Sequence, residues 1–127
     1  MKPFLKETIL LFEQEIDIRR SLQSFLSGQD YDVLTAENPA RLLQLSREEK
    51  FDLLIIEPRY DEDNDFDIIA QLKSIQPDVK IIILTGSPNH NLNKNISLYN
   101  GTIVLLTKPL ESLSQLTDYI RRLLDKP

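Results

Sequence analysis

A chain of 127 residues, 41% hydrophobic and 28% charged, has the balance of one globular domain over residues 1–127, large enough to bury a core. The absence of cysteine excludes disulfides, thiol nucleophiles and cysteine zinc sites, and a formal net charge of −5 argues against the domain itself gripping nucleic acid. No apolar run reaches the length of a membrane span or a signal-peptide core, so the expected setting is the cytoplasm, away from the membrane.

Thr8 to Phe12 reads as a short buried strand ending at Glu13-Gln14-Glu15. Ile18, Leu22, Phe25 and Leu26 then fall on one helical face, with Ser27-Gly28 as its stop. Tyr31 to Ala36 is a second strand, and Asn38-Pro39 supplies a cap and a first-turn proline for a helix through Leu42, Leu43 and Leu45. The chain is organised around the next stretch, Phe51-Asp-Leu-Leu-Ile-Ile-Glu57. Its run from Leu53 to Ile56 has no polar position, as in a strand buried on both faces, and Pro58 ends it. Asp65 is read as the cap of a helix carrying Phe66, Ile69, Leu72 and Ile75, closed before Pro77.

Lys80 to Leu84 is the fourth strand, ending at Thr85-Gly86-Ser87. Residues 88–100 hold five asparagines and few apolar anchors, so a helix there is expected to be short or loosely held; His90, the sole histidine, falls in it and is expected to be exposed. Thr102 to Leu106 makes a fifth strand. A last helix is expected from about Glu111, with Leu113, Leu116, Ile120, Leu123 and Leu124 inward and Arg121-Arg122 at its dipole's negative end. Strands alternating with amphipathic helices predict an α/β fold with a parallel sheet covered on both faces. Chemistry in such sheets gathers outside the carboxyl ends of the strands, where Glu57 sits.

The strand-end residues, in order, resemble the receiver domain of bacterial two-component response regulators across nearly the whole chain. The matching pieces are Ile9-Leu-Leu-Phe-Glu-Gln-Glu15, Phe51 to Glu57, Ile82-Ile-Leu-Thr85, and Gly101 followed seven residues later by Lys108-Pro109. The resemblance implies a flavodoxin-like, doubly wound (βα)5 fold with a five-stranded sheet of order 2-1-3-4-5. It also implies a phosphoacceptor at position 57, acids at 13 and 14 holding magnesium, phosphoryl contacts from Thr85 and Lys108, and an aromatic switch at 105. Thr85 and Lys108 fit that pattern; Glu57, Gln14 and Leu105 depart from it.

Gln14 removes a full charge from the metal position, and Glu57 carries its carboxylate on the order of 1.5 Å further out than an aspartate would. Phosphoryl transfer is mostly positioning and electrostatics, so both departures weaken the same step. Three readings of Glu57 follow: a structural ion pair in which Glu57 and Glu13 meet Lys108, with Arg59 entering the vacated metal space; a built-in mimic of the phosphorylated state; and residual phosphorylation with magnesium. The expectation is a degenerate receiver without enzymatic activity or a resident cofactor, with magnesium bound weakly if at all. Its partner would be another protein or a second copy, docking through the fourth helix, fifth strand and fifth helix (88–100, 102–106 and from 111), with an output domain in a longer chain as a further option. The run Asp61 to Asp67 is not a calcium loop, because Phe66 and Leu72 replace the required glycine and glutamate. A flavodoxin-like cofactor site is disfavoured by three isolated glycines.

Overall fold

Each of the five apolar runs forms a strand: β1 (Thr8–Phe12), β2 (Asp32–Ala36), β3 (Leu53–Ile56), β4 (Lys80–Thr85) and β5 (Ile103–Thr107). All neighbours are parallel, in the order β2-β1-β3-β4-β5, which is the order the resemblance implies. The computed structural model describes residues 6–57, 62–86, 102–108, 110 and 112–124, and within these the side chains of all but 62–66. Among them are four helices: α1 (Ile16–Gly28), α2 (Pro39–Glu48), α3 (Glu62–Ile75) and α4 (Leu113–Leu124), the last being the helix expected from about Glu111. The segment 88–100, with His90, and Arg59 lie outside the described residues.

The pleat of the sheet sorts its apolar side chains between two cores. Ile9, Leu11, Leu53, Ile55, Ile82, Leu84 and Leu106 face α1 and α4, meeting Leu22, Leu26, Leu116 and Ile120. Leu10, Phe12, Leu54, Ile56, Ile81, Ile83 and Ile103 face α2 and α3, meeting Leu42, Leu45, Ile69 and Leu72. β3 is buried at all four positions, as its unbroken apolar run requires.

Several element ends differ from the sequence reading. Helix α3 begins at Glu62, so Asp65 lies within its first turns rather than at its cap; acidic residues are favourable at either place, because both lie near the positive end of the helix dipole. Gly28 is the last residue of α1, and the left-handed position after the helix is taken by Asp30 (φ 74°). Asp tolerates that region better than most residues. Ile18 is 36% exposed and Leu113 43%, so neither belongs to the inner faces on which they were expected. The Asn38 cap is formed as expected, its Oδ1 accepting from Arg41 N–H at 2.8 Å.

The amino ends of the strands are fastened by two side chains. Asp52 Oδ2 accepts from Thr8 N–H at 2.8 Å, while the Asp52 main chain bonds Thr8 O at 2.8 Å and Lys80 N–H at 3.1 Å, joining β1, β3 and β4. Gln76, just past α3, donates from Nε2 to Ser46 O (2.8 Å) and Glu49 O (2.7 Å), and its Oε1 accepts from Phe51 N–H (3.3 Å). One amide thereby ties the end of α2 to the approach of β3. Gln76→Ala should cost about 2 kcal/mol, since it strands partly buried main-chain groups; a lower urea midpoint with an unchanged slope would register it.

Candidate functional site

Parallel register builds the site. Phe12 on β1 pairs with Ile56 on β3, so the next residues, Glu13 and Glu57, leave the sheet side by side from strands about 4.8 Å apart. Two carboxylates at that spacing cannot both stay charged cheaply once shielded from water. Glu13 is buried, with 5% of its surface exposed. Burial, a hydrogen bond shared with Glu57 and the charge of Glu57 push its pKa up to about 7, against a smaller pull from the Glu15 and Gln14 main chain. For Glu57, burial also works against the charge, but the hydrogen bonds from Glu13 and Lys108, together with the lysine's charge, outweigh it and lower the pKa.

Below about pH 7 the proton of the pair therefore resides mainly on Glu13. Glu13 Oε2 faces the Glu15 N–H at 3.4 Å. Its Oε1 is buried and receives no hydrogen bond from any protein donor, so this oxygen is the one suited to carry the proton and donate to Glu57. On the other side, Lys108 Nζ donates to Glu57 Oε2 at 2.8 Å, in a pair with 30% and 27% of the two side chains exposed. Lys108 is positioned by its own N–H, which donates to Thr85 O at 2.8 Å where β4 and β5 end together.

The structure thus brings Glu13, Glu57 and Lys108 together, with Glu13 meeting Glu57 rather than pairing with Lys108. Thr85 is buried at the end of β4, and Gln14 stands half-buried beside Glu13. Leu105 is half-buried and packs into the core on the α2–α3 side. The sequence reading missed Arg19, whose Nη1 donates to Glu13 O at 2.9 Å and fastens the turn out of β1. The signal was available, because a long basic side chain in the first turns of α1 can reach back to the strand it follows. A shared proton on Glu13, a lysine on Glu57 and a neutral amide at Gln14 make a poor donor set for magnesium, which needs charged or strongly polar oxygens free to coordinate. Among the described residues, no group of three or more His, Cys, Asp or Glu is arranged to hold a metal ion.

With this geometry in view, the likenesses to known proteins become interpretable. The response regulator receiver domain family model matches residues 9–121. The transcriptional regulatory protein GlrR of Escherichia coli K12 is 30% identical over 103 residues, 81% of this chain and 23% of GlrR. The chain spans 17–24% of the length of the curated relatives it matches. Among solved structures, the signal receiver domain of an HD domain-containing protein from Pseudomonas fluorescens Pf-5 is 26% identical, with a TM-score of 0.82 and coverage of 94% of this chain and 95% of that one. A CheY-like receiver domain protein from Methanospirillum hungatei JF-1 is 19% identical, with a TM-score of 0.85 and 94% of both chains covered; at that identity it speaks to the fold alone.

Proposed function

The chain belongs to the response regulator receiver domain family, and from that premise we propose that it is a degenerate receiver, a protein-interaction module in signal transduction that does not take a phosphoryl group as its normal input. The observation that carries this reading is the closed trio of Glu13, Glu57 and Lys108. An attacking carboxylate must present a free lone pair to phosphorus. Glu57 instead spends its oxygens on a 2.8 Å lysine contact and a proton shared with Glu13, and both interactions reduce its basicity. Its extra methylene displaces it further, and Gln14 lowers the attraction for the divalent ion on which such transfers depend.

The same trio favours a structural ion pair over a phosphoryl mimic. With Glu13 protonated, the charges of Glu57 and Lys108 cancel, whereas an acyl phosphate, carrying nearly two negative charges, would leave a surplus of nearly one against the same lysine. Leu105 also lacks the aromatic ring the resemblance implies at the switch. On this reading the domain acts by docking, through the surface of 88–100, β5 and α4 or as a homodimer, and the greater length of relatives such as GlrR is consistent with an output domain on a longer chain. The domain's own acidity leaves nucleic acid to such an output. Among the described residues no helix is long and apolar enough to cross a membrane.

The test is incubation of the chain with acetyl phosphate and magnesium, followed by intact mass. The expected spectrum is unchanged. A stable adduct of about 80 Da, removed by hydroxylamine and lost in Glu57→Gln, would establish the rival reading of a working phosphoacceptor.

A further inference from the structure

Among the described residues, the large aliphatic side chains left exposed are Ile16 (45%), Ile18 (36%) and Leu113 (43%), and two of them, Ile18 and Leu113, line one groove. Ile18 and Leu113 edge an open groove of about 410 Å³ between the start of α1 and the approach to α4, with Leu22, Leu84 and Leu110 beneath. The groove ends against the Glu57–Lys108 pair, and Asp17 and Ser21 complete its lining. Asp17 and Ser21 are one turn apart on α1, beside the equally spaced Ile18 and Leu22, so this helix presents a polar row next to an apolar row.

Size and lining match a small-molecule site, mostly aliphatic with a few converging polar groups. The charges decide what kind of molecule. Lys108 is already matched by Glu57 at 2.8 Å, which leaves Asp17 as the charge a ligand would meet. Asp17 is exposed, and among the described residues no cation pairs with it. An anionic ligand would face two carboxylates against one committed lysine, whereas a cation restores neutrality.

We propose that this groove binds a small organic cation, an amine on an aliphatic or aromatic body. The ammonium sits on Asp17 and Ser21, and the body lies along Leu22, Leu84 and Leu110 under the edges formed by Ile18 and Leu113. A ligand so placed abuts the Glu57–Lys108 pair, giving the domain an input that needs no phosphoryl group.

Octylamine, octanol and octanoate share one chain length and differ in charge, so they separate the apolar from the electrostatic part. Titrated into the isotope-labelled chain at low salt, octylamine should bind about three- to fivefold more tightly than octanol and octanoate most weakly. Amide shifts should be concentrated at 17–22 and 110–113. Asp17→Asn should abolish the advantage of the amine while leaving octanol binding intact, and Leu113→Ser should weaken both; each residue is exposed, and unchanged sheet resonances would show that the variants fold. Octanoate binding as tightly as octylamine, shifts centred elsewhere, or no saturation by any of the three at millimolar concentration would overturn the site.

Discussion

Converting Gln14 and Glu57 together to aspartate should give a protein that acquires the adduct of about 80 Da from acetyl phosphate and magnesium, under conditions where the parent chain does not. The two changes repair different faults. Glu57→Asp withdraws the carboxylate by one methylene, and a misplacement of about 1 Å costs on the order of a hundredfold in rate. Gln14→Asp restores the charge that a magnesium ion needs, but does nothing for the reach of the nucleophile. Each single variant should therefore label at least tenfold more slowly than the pair, roughly the smaller of the two penalties. Equal labelling of the parent chain and the double variant would mean that neither departure restrains the chemistry, and the docking-only reading would fall with it.

Stability should fall as the solution is made more alkaline, and one carboxyl group should account for it. Glu13 has a folded pKa raised from 4.5 to about 7. Its contribution is thus fully present below about pH 4.5 and lost as pH rises through about 7. Glu57 has the opposite sign: its lowered pKa adds stability above about pH 4.5 that disappears only in more acidic solution. Between pH 5 and 8 the slope therefore belongs to Glu13. Glu13→Gln keeps a donor toward Glu57 but cannot lose a proton. At pH 5 the variant and the parent chain should be alike, and at pH 8 the variant should be more stable by about 2 kcal/mol. Urea midpoints across that range measure the difference. Every other titratable group is present in both proteins, so its contribution cancels in the comparison. A variant less stable than its parent at pH 8 would contradict the shared proton.

Much of the fold could be read from the chain because its strands are extreme. Leu53 to Ile56 and Ile81 to Leu84 offer no polar position at all, which only a sheet covered on both faces accommodates. The alternation of helix and strand then fixes the class, and the resemblance supplies the order. Element ends were harder to read, for identifiable reasons. An acidic run such as Glu62 to Asp65 suits a cap and a first turn equally well, and the left-handed residue after α1 is Asp30 while a glycine stands two places earlier. At the site, Glu57 and Lys108 were recognisable by position. The proton between Glu13 and Glu57 was not, because it arises from register: only when Phe12 is set opposite Ile56 do the following acids become neighbours. Parallel order with β1 beside β3 held that information in principle, but charge pattern along the chain did not.

The Asp52 and Gln76 fastenings lie at the amino ends of the strands, the far pole of the sheet from Gln14, Glu57 and Lys108. The side chains that fasten the amino ends of the strands are therefore not those of the acidic cluster. A domain divided in this way can let its reactive pole drift, trading acids for amides and longer arms, while the opposite pole keeps the architecture intact.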